Sequence, residues 1–306
     1  MLRLTFARAA AGHLGSTVVL LGALALTASA QSDEQKRDIF NSIEWTDGPG
    51  EGKLGRVAQL SVPEGCRFAE AAGAKTFLEL TENPTSGSEV GILLCSTAPE
   101  GNPAEARNWF VVYDYDASGY VKDDEKTQLD ADKILSTLRE GNEAGNRERR
   151  RRGWGELTLD GWIRPPYYDE ATHNLTWATR IVSEGDTSVN HSVRLLGRGG
   201  VMKVDLVTDP SAFELVLPAF DGVVEKTAFT TGNTYAEWRS GDKVAAYGLT
   251  ALVAGGAAAK LGLFGKLWKL ILASGKAIVV GVIAVFAAIR KFFRRKPKME
   301  GGTAPA

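Results

Sequence analysis

NLTWATRIVSEGDTSVNHSVRLLGRGGVMKVDLV, residues 174–207, decides the fold. It holds three successive strand candidates, 174–182, 190–196 and 201–207, with no helical pattern between them. Downstream, Asp209-Pro210-Ser211 starts a helix over 211–226, and 227–231 reads as a last short strand. Upstream, 156–163 is a strand candidate, closed by Pro165-Pro166. Before it, 130–152 is a polar helix whose short apolar face carries Ile134, Leu135 and Leu138. NWFVVYDYD, residues 108–116, is aromatic and β-branched, hence a strand. Residues 91–94 read as a short buried strand, 68–80 as a helix, and 54–62 as a strand entered from a glycine-rich turn. Runs of strands beside helices, without strict alternation, predict an α+β domain with largely antiparallel sheets.

The charge balance looks unremarkable until it is divided. The 306 residues carry 36 Lys plus Arg against 37 Asp plus Glu, a net −1. Residues 1–30 hold two basic groups and no acidic ones, and residues 244–306 hold ten basic and one acidic. The middle, 31–243, therefore has 24 basic and 36 acidic groups. An acidic body between two basic, apolar ends argues for a membrane and against nucleic acid, whose binding domain would be strongly basic.

The N-terminus reads as a secretory signal peptide over 1–30. Arg3 and Arg8 precede an uncharged apolar core at 14–26, and Ala28-Ser29-Ala30 predicts cleavage after Ala30. Thirteen residues make a helix of about 20 Å, too short for a bilayer core. Near the other end, 270–289 is a 20-residue apolar stretch whose one internal charge is Lys276. Trp268 precedes it and Arg290, Lys291, Arg294, Arg295, Lys296 and Lys298 follow, the marks of an interfacial aromatic and a cytoplasmic flank. These residues predict a transmembrane helix at 267–289 and a cytoplasmic tail at 290–306. Residues 244–266 contain Ala251, Gly255 and Ala259 at helix-packing spacing and form an interfacial helix or a second span. The expected setting is the inner membrane of a bacterium, with 31–243 outside the cytoplasm and the lipid bilayer as partner.

Within that exported domain the charged stretch 141–153 suggests two halves, 31–152 and 153–243. Cys66 and Cys95 are the only cysteines. In an oxidising compartment they are a disulfide candidate; two buried thiols are the alternative. Asp114, Asp116, Ser118, Gly119, Val121 and Glu125 follow the spacing of an EF-hand calcium loop. Lys122 occupies a ligand position and a strand-like segment precedes the loop, so a β-hairpin bending at Ser118-Gly119 is the preferred reading. The Gly48–Lys53 glycines lack the Walker spacing. After signal removal only His173 and His191 remain, and no H-E-x-x-H or G-x-S-x-G occurs. Arg147 and Arg149 to Arg152 form a basic helix end, suited to its dipole or to anionic headgroups.

Four separated motifs remain. They are Gly119-Tyr120-Val121-Lys122-Asp123-Asp124, then Gly161-Trp162-Ile163-Arg164-Pro165-Pro166-Tyr167-Tyr168-Asp169 with Leu175-Thr176-Trp177-Ala178, then Arg194 to Val201, and last Gly241 to Gly248. In this order the chain resembles, over roughly 40–290, a bacterial family of uncharacterised, predicted membrane-anchored proteins with a domain of unknown function. The resemblance implies an exported domain with C-terminal membrane attachment and implies no activity or cofactor. It also makes 114–125 a strand-turn motif rather than a calcium site, and leaves Cys66 and Cys95 outside the shared pattern.

The residues themselves favour a non-enzymatic binding or scaffolding domain, with Trp162, Tyr168, Asp169, Arg194 and Arg198 as the candidate interaction surface. Arg194 and Arg198, four apart, point to one face of a strand and would hold a carboxylate such as Asp169 or a ligand. The competing expectation is an envelope hydrolase with a site formed by Tyr168, Asp169, His173 and His191.

Overall fold

The structure, a computed structural model, describes residues 34–254. The expected signal sequence with its cleavage after Ala30 therefore lies outside the described residues. So do the expected transmembrane helix with Trp268 and Lys276 and the expected tail with Arg290 and Lys291. Among the described residues no helix is long and apolar enough to cross a membrane.

Helix α1 (34–41) leads into β1 (Thr46–Asp47), β2 (Gly50–Leu54), β3 (Ala58–Val62) and β4 (Cys66–Glu70). Then come α2 (Ala71–Leu80), β5 (Glu89–Thr97), β6 (Arg107–Asp116) and α3 (Ala131–Arg151). The second part holds β7 (Thr158–Asp169), β8 (Asn174–Ser183), β9 (Asp186–Leu196) and β10 (Val201–Thr208). It closes with α4 (Phe213–Glu225), β11 (Thr227–Phe229) and α5 (Leu249–Val253). Eight strands form one antiparallel sheet in the order β1-β4-β5-β6-β10-β9-β8-β7, and β11-β3-β2 form a small second sheet. The expected mixed α+β class with a large antiparallel sheet is what the chain adopts. Because β6 pairs with β10, the large sheet runs unbroken through both expected halves.

Strand β10 shows how the layers arise. Met202, Val204 and Leu206 are fully buried, while Lys203, Asp205 and Val207 between them are half-buried on the opposite face. The first face packs on α4 and the small sheet, through Phe213, Val216, Phe220, Leu54 and Leu60. On the other face α2 covers β4 to β6 with Ala74 and Phe77 against Ala69 and Ile92. A second core, with Val121, Ile134, Tyr168, Leu175, Trp177, Leu196, Val201 and α5, fills the far end of this face.

Helix α3 begins where its sequence predicts, with the Asp130 carboxylate accepting from Lys133 N–H at 3.1 Å. It lies along the edge strand β7. Asn146 exchanges two hydrogen bonds with the Leu157 backbone, and Asn142 accepts from Leu159 N–H. Side-chain amides thus occupy edge groups that would otherwise invite another strand. The arginine cluster at the helix end is largely paired. Arg149 is buried and donates to the Glu82 and Gly155 carbonyls, Arg150 meets Glu156 at 2.7 Å, and Arg151 and Arg152 meet Glu148.

Several local expectations change. Residues 54–62 are a hairpin, not one strand, because Gly55 turns with φ +63° between β2 and β3. The helix expected from 68 starts at Ala71, since Cys66 to Glu70 pair with β5. Pro165-Pro166 does not end β7. An edge strand tolerates the missing N–H, and register shifts between 162 and 167 absorb the two rings. No hairpin bends at Ser118-Gly119, because the neighbours of β6 are β5 and β10. Finally, the folded unit continues past 243, since Leu249, Leu252 and Val253 are buried.

Candidate functional site

Antiparallel order brings the end of β6, the start of β10, the end of β9 and the β7–β8 turn to one end of the large sheet. The chain segments 117–130 and 230–248 fold across this end, and α5 seals it. All four sequence motifs meet here. Gly119 N–H donates to the Gly199 carbonyl at 3.1 Å. Tyr120 then bridges Val244 in parallel, through Tyr120 N–H to Lys243 O and Ala245 N–H to Tyr120 O, both 2.8 Å.

Two glycines make this approach feasible. Gly119 has φ +105°, and a Cβ on it would sit 2.6 Å from the Lys243 carbonyl oxygen. At Gly200 a Cβ would fall 2.1 Å from the Asp116 carbonyl oxygen. Gly200→Ala must therefore displace the end of β6, and we expect a loss of roughly 2–3 kcal/mol from overpacking, read as a lower urea midpoint. An unchanged midpoint would contradict the packing described.

Charged and aromatic groups complete the end. Arg198 grips Asp242 with two parallel bonds, Nε to Oδ2 at 2.7 Å and Nη2 to Oδ1 at 2.8 Å. That guanidinium, with the Arg239 N–H, holds the Asp242 carboxyl down to about 2. Tyr247 Oη donates to Asp116 Oδ2 at 2.6 Å. Tyr168 Oη donates to Asp123 Oδ2 at 3.0 Å and lies 3.0 Å from His173 Nδ1. Burial first, and the Asp123 carboxylate second, push the Tyr168 phenol far up, so it stays protonated. The His173 ring lies 4.6 Å from Tyr235, which stacks on Tyr120 at 4.4 Å; Tyr120 in turn meets Trp238 at 5.3 Å. A shallow depression of about 240 Å³ opens beside them, lined by Arg198, Gly199, Gly232, Asn233, Asp242 and Lys243.

The residues singled out from sequence divide accordingly. Tyr168 and His173 meet, with Asp123 as third member. Asp169 instead accepts from Ala171 N–H in the β7–β8 turn, a bond that lowers its carboxyl. His191 is buried on the opposite face, 5.7 Å from Phe213 and 5.4 Å from Phe220. The four-residue hydrolase constellation is thus not assembled, because Tyr168 and His191 belong to different cores. Arg194 and Arg198 do not share a carboxylate and neither holds Asp169. Arg194 meets Asp205 at 2.9 Å and lies over Trp177, while Arg198 sits beyond the end of β9. Trp162 packs on the second core and donates Nε1–H to the Ala131 carbonyl. The carboxylates of the EF-hand spacing are dispersed, Asp114 to Ser86 and Ser88, Asp116 to Tyr247, and Glu125 to Thr250 N–H. Tyr120, Tyr235, Trp238 and Asp242 were not among the candidates. Two of the quoted motifs, 119–124 and 241–248, flanked the signal, but neither predicts the aromatic stack.

A family described as "Protein of unknown function (DUF2167)" matches residues 46–286. No curated protein matches the chain. Among solved structures, cyanobacterial PsbP (CyanoP) from Synechocystis sp. PCC 6803 is similar at 14% identity and TM-score 0.33, over 62% of this chain and 93% of that one. PA94 of Pseudomonas aeruginosa, a protein of unknown function, is similar at 16% identity and TM-score 0.24, over 44% and 79%. Neither likeness bears on function.

Proposed function

We propose that this chain, which belongs to the DUF2167 family of proteins of unknown function, is a bacterial envelope protein. Its exported domain is held at the outer face of the inner membrane by the C-terminal apolar segment and binds or scaffolds rather than catalyses. The observation that carries this reading is the apolar stretch 270–289 with its cationic flank, downstream of a folded domain that reaches at least Val253. Helix α5 is packed into the second core by Leu249, Leu252 and Val253, at the sheet end where the four motifs converge. The next 35 residues, 255–289, contain four lysines and no acidic group.

The chemistry of the motif end fits a binding role. Tyr168 is committed to Asp123, Arg198 to Asp242 and Tyr247 to Asp116, so these groups brace neighbouring segments.

Two measurements on the full chain in a bacterial host test the reading. Alkaline carbonate extraction should leave the protein with the membranes, and a reporter fused after Ala306 should be active only in the cytoplasm. Release into the soluble fraction would overturn the anchor. A reporter active only outside would replace the single span with two.

A further inference from the structure

We propose that segment 236–246 is a second membrane contact, a face on the folded domain that seats in the headgroup layer of an anionic bilayer. This rests on the anchoring reading and adds to it the orientation of the domain. Among the described residues four large hydrophobic side chains are exposed, and two of them, Trp238 at 39% and Val244 at 41%, fall in this segment.

The charges on this segment point the same way. Arg239 and Lys243 are exposed, as is Lys122 on the strand-like piece beside it. The acidic neighbours are drawn inward. Asp242 is held by Arg198, and Glu237 accepts from Gly232 N–H and from Thr234. Asp124 is the exposed carboxylate nearest in sequence to this group. An indole flanked by cations suits the bilayer interface, where the ring sits at headgroup depth and the cations meet lipid phosphates. Trp238 is also held before it meets a membrane, by Tyr120 stacked on Tyr235. Little side-chain freedom is left to lose on docking.

Continuity selects the bilayer as occupant. Only 22 residues lie between Val244 and residue 267, where the proposed span begins. A span leaving from there keeps segment 236–246 close to the lipid surface at no cost in translational freedom.

The test uses the full chain reconstituted in vesicles of phosphatidylcholine and phosphatidylglycerol. Spin labels are placed at Trp238→Cys, at Val244→Cys, and at Gly185→Cys in the β8–β9 turn, at the other end of strands that span about 30 Å. Labels at 238 and 244 should be shielded from an aqueous nickel quencher yet open to oxygen, and the label at 185 should be open to nickel. The shielding should weaken in phosphatidylcholine alone. Nickel-accessible labels at 238 and 244 in protein that still floats with the vesicles would overturn the docking face and leave the anchor standing. Protein that does not float would overturn the anchor itself. Labels closed to both quenchers would mean that another segment of the chain covers this face, and would also overturn the proposal.

Discussion

Replacing Cys66 and Cys95 together by alanine should remove about 3–4 kcal/mol of unfolding free energy, the loop-entropy value for this separation. The two cysteines are cross-strand partners in β4 and β5 and are bonded across 29 residues of sequence. The loop they close contains all of α2, whose Ala74 and Phe77 cover Ile92 on the face away from the disulfide. Without the bond, β4 and the helix are joined to β5 by packing and the five β4–β5 ladder positions. The side chains are nearly buried in the first core, so alanine also removes some apolar contact. Comparing the double variant with wild type in reductant separates the two effects, since reduced wild type keeps the sulfur atoms and loses only the bond. Urea midpoints should fall in both, slightly further in the variant. An oxidised and a reduced wild type with equal midpoints would sink the prediction.

The parts of this fold that sequence revealed are those where one local force dominates. Strand β10 alternates because one face is dry, and α3 starts at Asp130 because an aspartate caps it. Elsewhere a distant partner overrules local preference. Residues 68–70 belong to a stretch with helical spacing yet join the sheet, because β5 offers a ladder and a disulfide. Pro165-Pro166 looked like a terminator, and only the knowledge that β7 is an edge strand permits it to continue.

The motif end was legible only in pieces. Gly119, Gly200 and Gly241 advertise tight turns, but nothing in their spacing says that 117–130 will lie across the residues preceding α5. That proximity follows from β6 pairing β10, a ladder that runs from Val201↔Asp116 to Val207↔Phe110 and joins distant parts of the sequence. The same topology separates His173 from His191. On β8, Ala178 faces the first core and Trp177 the second; His191 is opposite Ala178 and Ser192 opposite Trp177. One residue of register thus decides which face a histidine occupies. No motif fixes that register, and so the hydrolase constellation seemed available in sequence and is absent in space.

Between pH 7 and pH 4 the protein should lose about 3 kcal/mol of stability through His191 alone, one pKa unit being worth about 1.4 kcal/mol. His191 is 5% exposed, and its Nδ1 has no hydrogen-bond partner among the described residues. From α4, Phe213 and Phe220 close over the ring. Burial lowers its basicity from 6.5 to about 4, and the Arg164 guanidinium adds to the shift. The Trp177 backbone and the Asp205 carboxylate oppose it more weakly. In the unfolded chain the imidazole takes its proton near pH 6.5, whereas the folded protein refuses it until about 4. The unfolded state therefore binds more protons throughout this interval. This contribution is nearly complete at pH 7, falls with each step toward 4, and is gone below it. His191→Leu removes the titrating group and leaves the site apolar. Its urea-derived stability should be lower than wild type at pH 7, where packing suffers, and the deficit should narrow or reverse by pH 4.5. Parallel stability curves for the two proteins across this range would show that His191 is not the group held neutral by the first core.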